Sequence, residues 1–351
     1  MANHDDIAVI APDGIAVGPV TQWLRDAIPG ATPPFRFDVI AGGRSNLTFK
    51  VTDADGNRFV LRRPPLGHVL ATAHDMGREY KIISGVSKSN VPVASALDMC
   101  DDLKVNGAPF YVMSYVDGVV LSTLQDTEGL SPEFMRSSGE SLIDVLGDLH
   151  AVNPDDIGLG DLGKKEDYCT RQLKRWRTQW DNSKSREIPA IEETHRILSA
   201  NIPEQRYTGI VHGDYRLGNC MVGSDARLSA VLDWELCTLG DTMADLGYVL
   251  MFWTEPGEFN AGRTSESTLA PGYITKAQGV ARYAARTGRD VSSIDFYVSL
   301  AYWRLACISE GVYARYRLGA MGSGQEFDFE HYGSGVTLLA DAALEIAQRI
   351  K

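Results

Sequence analysis

Cysteine is scarce in this chain of 351 residues: the five present (Cys100, Cys169, Cys220, Cys237, Cys307) are scattered, odd in number and never form C-x-x-C. That pattern argues against a disulfide framework and against a zinc site, and fits a reducing compartment. Long apolar runs are missing too, since none reaches the ~18 residues that a membrane span needs. The opening MANHDDIAVIAPDG carries acids where a signal peptide carries a basic segment, so a cytoplasmic location is expected. Basic charge is in deficit. Lys and Arg number 34 against 46 Asp and Glu, a net charge of −12, which disfavours nucleic acid and anionic membranes as partners. The remaining composition, 44% hydrophobic and 23% charged, is that of an ordinary globular chain with room for one large or two medium domains.

Hydrophobic spacing divides the chain. Val20, Trp23, Leu24 and Ile28 recur at helical intervals before Pro29, Gly30, Pro33 and Pro34, which predicts an N-terminal helical arm over 1–34. The runs FRFDVIA, NLTFKVT and NRFVLRR then read as strands, with DADGN at 53–57 as a hairpin turn. A helix is expected across 69–86, then strands near VPVASALDM and APFYVMSYV with Asn106-Gly107 as a turn. Beyond Asp117-Gly118 the texture is helical. Ser131-Pro132-Glu133 opens a helix striped by Leu142, Val145, Leu146 and Leu149. Further helices are expected near 166–182 and 188–200, and short strands near GIVH, NCMV and LSAVLDW. Residues 254–272 show no periodicity and read as a long, substrate-facing loop. The expectation is an α+β chain with a small β-rich unit over 35–116 and a larger helical unit over 117–351.

The chemistry concentrates in VHGDYRLGN at 211–219, which sets a carboxylate five residues before a carboxamide. Such spacing suits phosphoryl transfer: Asp214 can orient an acceptor hydroxyl, Arg216 can offset phosphoryl charge, and Asn219 can offer a hard oxygen to Mg²⁺. Farther on, VLDW delivers Asp233 from a strand end, where a second magnesium ligand would sit. Asp241 reads as a helix cap and Asp245 as a brace for the catalytic loop. Glu235 reads equally well as a water-mediated metal contact or a solvated carboxylate. In GGRSN at 42–46, the glycines let the backbone approach phosphate oxygens, while Ser45 and Asn46 add donors. A plain hairpin loop explains the same residues.

These segments resemble the kinase-like phosphotransferases, which include aminoglycoside phosphotransferases and choline kinases. HGDYRLGN resembles that family's catalytic H-G-D-x-x-x-x-N, Asp233-Trp234-Glu235 its magnesium segment, and GDTMADL at 240–246 its G-D-x-x-x-D-L. VLRRPP and REYKII add a likeness to the phosphotransferase-like domains found alone in bacteria or fused to some acyl-CoA dehydrogenases. The resemblance covers roughly 35–345. It implies a two-lobed protein-kinase-like fold, ATP as co-substrate with Mg²⁺, and phosphorylation of a small-molecule hydroxyl. It further implies a nucleotide site of Gly43, Ser45, Asn46, Arg62, Glu79, Met113, Ser114 and Val116. Arg62 stands where kinases place a lysine, with Glu79 as its ion-pair partner, and Arg63 on the opposite strand face is its competitor. Adenine would lie against Met113 and meet the backbone of Ser114 and Val116. A protein kinase is disfavoured, because no D-F-G or A-P-E frames an activation segment.

The acceptor is the weakest signal. Between 171 and 186 stand Arg171, Lys174, Arg175, Arg177, Lys184 and Arg186, opposed only by Asp181. With Trp176 and Trp180 this helix suits an anionic acceptor with an apolar part, such as a hydroxyacyl-CoA, through Arg171, Arg175 and Trp176. A solvated helix with its tryptophans in the core reads as well. The stretch from Tyr302-Trp303-Arg304 to Arg317 carries the same ambiguity. An antibiotic kinase and a catalytically silent nucleotide- or acyl-CoA-binding module are the alternatives.

Overall fold

A computed structural model describes residues 12–40, 46–66, 75–258, 266–319 and 328–350. It forms two compact units that divide between Asp117 and Gly118. No helix among the described residues is long and apolar enough to cross a membrane.

The first unit begins with α1 (Val17–Ala27), followed by strands β1 (Arg36–Val39), β2 (Leu47–Thr52) and β3 (Arg58–Arg63). Helix α2 (Met76–Val86), strand β4 (Ala96–Cys100), the one-turn α3 (Leu103–Asn106) and strand β5 (Phe110–Ser114) complete it. The strands make one antiparallel sheet in the order β1-β2-β3-β5-β4. The hairpin expected at 53–57 is present: Asp53 Oδ1 accepts from the Asp55 and Asn57 amides at 3.0 and 2.8 Å, and Gly56 takes φ 86°.

Strand alternation sorts this sheet into two faces. Phe49, Val51, Leu61, Phe110 and Val112 turn to the face covered by Val20, Leu24 and Ile28 of α1 and its following turn. Val60 and Arg62 turn the other way, paired in register with Met113 and Tyr111. Arg63 is therefore on the α1 side, where it is buried and donates to the carbonyls of Gly14, Asn106 and Pro64. Two expectations are corrected. Asn106-Gly107 ends α3, with Gly107 at φ 70° as its left-handed cap, rather than forming a bare hairpin turn. Asp75, whose side chain accepts from the Arg78 amide, starts α2, while 69–74 of the helix expected over 69–86 lie outside the described residues.

The second unit contains α4 (Pro132–Ala151), α5 (Tyr168–Ser183), α6 (Pro189–Ala200), strand β6 (Thr208–Val211), strands β7 (Cys220–Val222) and β8 (Leu228–Val231), and β9 (Thr238–Asp241). Four helices follow: α7 (Met243–Phe252), α8 (Lys276–Thr287), α9 (Ile294–Arg317) and α10 (Phe329–Ala347). Helix α9 packs against α5, α7 and α10. β6 pairs with β9, and β7 with β8, both antiparallel. β9 was not expected, because four residues ending in Gly-Asp show no alternation of their own. The aperiodic stretch at 254–272 is anchored rather than loose where it is described. Thr254 and Thr268 exchange hydrogen bonds at 2.9 and 3.0 Å, and Ser267 donates to the Leu121 carbonyl at 2.8 Å. Residues 259–265 lie outside the description.

Candidate active site

Strand β6 ends at Val211, and the chain then turns through His212-Gly213-Asp214-Tyr215-Arg216 into β7. A buried carboxylate fixes this turn. Asp245, in the first turn of α7, accepts from the amides of His212 at 2.6 Å and Gly213 at 2.9 Å. His212 Nε2 donates to the Leu232 carbonyl at 2.9 Å, which leaves Nδ1 to accept from the Asp214 amide at 3.2 Å. That network assigns the tautomer. Gly213 takes φ 85°, and a Cβ there would stand 3.0 Å from the Leu236 carbonyl oxygen, so glycine is required by both backbone and space.

The turn presents Asp214 with both carboxylate oxygens engaged. Asn219 Nδ2 donates to Oδ2 at 2.7 Å and to the Asp214 carbonyl at 2.8 Å, and Arg216 Nε approaches Oδ1 at 3.3 Å. Arg216 in turn lies over the Phe252 ring at 5.1 Å. With its amide nitrogen committed to Asp214, Asn219 keeps Oδ1 for another partner. The Leu232 amide donates to the Asn219 carbonyl at 2.8 Å, extending the β7–β8 pairing, so Asp233 follows at the end of the hairpin that carries Asn219. Asp233 adopts φ 62° and ψ 67°, a left-handed conformation that non-glycine residues rarely take and that concentrates at functional sites. Two hard oxygen donors at one hairpin end would suit a divalent cation such as magnesium. Among the described residues, no group of three or more His, Cys, Asp or Glu could hold a metal ion by itself.

Behind the turn runs a second buried chain. Arg289 donates to the Tyr283 hydroxyl at 2.9 Å, which meets His150 Nδ1 at 2.7 Å, and His150 Nε2 reaches Asp245 Oδ2 at 3.4 Å. Burial pushes His150 below the usual histidine range, outweighing the opposite pull of Asp245, so the ring is neutral at pH 7. His195 is displaced in the same direction by burial and by Arg177. Both rings take up protons more readily when unfolded, so stability is complete above the unfolded value of about 6.5 and falls as pH drops below it. The melting temperature is expected to decline from pH 7 to pH 5.5. A flat profile there would contradict a neutral, buried His150 and a depressed His195.

In the first unit, Arg62 Nε lies 3.2 Å from Glu79 Oε1, with both side chains largely buried. Met113 shares that sheet face, and Ser114 closes β5, its hydroxyl accepting from the Ser95 amide at 2.9 Å. Val116 follows in the connecting segment before Asp117, and Asn46 is buried at the start of β2. Gly43 and Ser45 lie outside the described residues.

The basic helix resolves into separate duties. Arg177 pairs with Asp181 at 2.9 Å and with Glu192, Lys184 pairs with Glu187 at 2.8 Å, and Arg186 pairs with Glu310 at 3.1 Å. Trp180 is fully buried and donates to Glu192 at 2.9 Å. Arg171 donates to the Lys164 carbonyl at 2.7 Å, while Arg175 is exposed and lies over the Trp176 ring at 5.1 Å. Of the three acceptor candidates, Trp176 reaches the Asp214 turn, through Arg304: that guanidinium lies 5.4 Å from the Trp176 ring and donates to the Gly213 carbonyl at 3.1 Å. Sequence reasoning missed Tyr248 beside Asp214, where burial and that carboxylate push its phenol up. Its spacing four residues before Phe252 on α7 is the signal that was available.

A sequence model of the phosphotransferase enzyme family matches residues 36–279. A crystal structure of a provisionally assigned aminoglycoside phosphotransferase from Ralstonia eutropha JMP134 is 33% identical, with a TM-score of 0.81 over 95% of this chain and 98% of that one. Choline kinase from Cryptosporidium parvum, 15% identical, shares the fold at a TM-score of 0.62, covering 94% of this chain and 96% of the other. Acyl-CoA dehydrogenase family member 11 of Gallus gallus is 32% identical over 95% of this chain and 44% of its own length. The chain thus spans less than half the length of the curated relatives it matches. Together the matches define a kinase-like, two-lobed fold of the phosphotransferase kind. The chain belongs to the phosphotransferase enzyme family.

Proposed function

We propose that the protein transfers the γ-phosphoryl group of ATP to a hydroxyl of a small anionic acceptor, a hydroxyacyl-CoA or a related hydroxy acid. The observation that carries the reading is Asp214 held on both oxygens by Asn219 and Arg216, with Asp233 at the end of the same hairpin. Asp214 accepts the hydrogen bond of the acceptor hydroxyl and takes its proton as the oxygen bonds to phosphorus and the bond to the ADP oxygen breaks. Arg216 lies close enough to Asp214 to steady it and to meet charge on the transferring group. Asn219 and Asp233 would hold magnesium, which when bound draws negative charge from the phosphates. The remaining work is positioning.

Arg62, kept in place by Glu79, is assigned with Asn46 to the nucleotide phosphates, and Met113, Ser114 and Val116 to the base; Gly43 and Ser45, outside the described residues, are assigned to the phosphates from the sequence. A guanidinium can serve phosphate bidentately where an ammonium serves it as a point charge. Removing one member of a largely buried ion pair typically costs about 3–5 kcal/mol. Glu79→Ala should therefore lower stability on that order and raise KM for ATP. Thermal melting and nucleotide titration check both; a wild-type KM for ATP would contradict the assignment.

The acyl-CoA lean draws on the names of the curated relatives and on Trp176 and Arg304 beside the Asp214 turn. An antibiotic-kinase reading draws on the Ralstonia eutropha relative. ADP release measured with hydroxyacyl-CoAs, aminoglycosides and no acceptor, with and without EDTA, tests the reading. Acceptor-dependent release abolished by EDTA is expected, and acceptor-independent release alone would overturn it.

A further inference from the structure

We propose that Arg304 is the charge filter of the acceptor site, binding a carboxylate or carbonyl oxygen of the acceptor near the reacting hydroxyl and turning away cationic acceptors. The proposal rests on the phosphotransferase reading above and deepens it. Arg304 stands in the middle of α9 between residues that belong to the core: Trp303, Ala306 and Cys307 are fully buried. A guanidinium among such residues is costly unless its donors are spent.

Its donors are mostly unspent. Nη2 gives one hydrogen bond, to the Gly213 carbonyl at 3.1 Å, and Nε is buried with no hydrogen-bond partner. Among the described residues no carboxylate forms an ion pair with Arg304, whereas Arg177, Arg186, Arg282 and Arg286 of the same unit each have one. Aromatic rings wall it instead, Trp176 at 5.4 Å and Tyr248 at 5.3 Å from the guanidinium carbon. Such contacts hold the guanidinium electrostatically without consuming its N–H groups, leaving the terminal Nη donors for an oxygen acceptor. The cation is anchored to the residue preceding Asp214, so an acceptor whose hydroxyl meets Asp214 comes near it. An ammonium group beside Arg304 would meet a like charge that no carboxylate among the described residues ion-pairs.

A mere brace for Gly213 would also use the one bond to its carbonyl, so the test must separate binding from bracing. Wild type, Arg304→Gln and Arg304→Lys are compared with 3-hydroxybutyryl-CoA, free 3-hydroxybutyrate and choline, reading KM, kcat and melting temperature. In the glutamine variant, KM for the favoured oxygen-bearing acceptor should rise ~10- to 100-fold, the loss of a charged hydrogen bond. KM for ATP should stay within about twofold, the lysine variant should recover part of the loss, and discrimination against choline should shrink. Whether the thioester or the free acid suffers more identifies the oxygen as carbonyl or carboxylate. A fall in kcat alone, or equal losses with all acceptors, would overturn the filter. Should wild type phosphorylate none of them, the anionic-acceptor reading on which this rests fails separately. Equilibrium binding of 3-hydroxybutyryl-CoA then decides for Arg304: weaker binding by the glutamine variant supports it, while equal or absent binding overturns it.

Discussion

Asp233→Ala is expected to lower acceptor phosphorylation on the order of 10³-fold or more while the protein stays folded. The position explains the size of the effect. Asp233 ends the hairpin that carries Asn219 and holds a left-handed backbone at the start of the turn that follows. Left-handed non-glycine residues cluster at working sites, and this one stands at the hairpin end beside Asn219. Asp214→Asn, which keeps the shape but not the proton acceptor, should cost about 10²–10⁴-fold. Rates measured beside melting curves check both, and full turnover by the Asp233 variant would remove it from the site.

The second large effect concerns stability. Asp245→Ala strips the acceptor from the His212 and Gly213 amides and leaves two buried N–H groups unpaired. Hydrogen bonds to a charged group contribute about 1.5–3 kcal/mol each, so a loss of about 3 kcal/mol or more is expected. For a unit of this size that corresponds to a fall on the order of 5–10 °C in melting temperature. Activity should fall with it, because the same two amides set the turn that presents Asp214. Asp245→Asn retains one oxygen acceptor and should sit between the two. A melting temperature unchanged in the alanine variant would show that the turn is held by other means.

Local patterns made much of the fold legible. The hairpin at 53–57 follows from Asp53 and Gly56, and α4 from Ser131, Pro132 and the stripe of Leu142, Val145, Leu146 and Leu149. The motif at 211–219 was legible because its spacing is itself the geometry: Asn219 folds back on Asp214 across a single tight turn. Contacts between distant segments were not legible. The basic run at 171–186 looked unopposed because Glu192 and Glu310, which pair with Arg177 and Arg186, lie outside it. Arg304 did not stand out from the other arginines of its stretch, since its isolation from carboxylates exists only in the folded chain. β9 escaped because its strand character comes from pairing with β6, not from its own residues.

The central claim is tested most directly by mass spectrometry of reactions with Mg-ATP and two pools of acceptors, hydroxyacyl-CoAs and aminoglycosides, with Asp214→Ala as the control. A phosphate-sized gain in the acyl-CoA pool, lost in the variant, is the predicted result. Nucleotide binding with no gain in either pool would contradict it and leave a silent binding module.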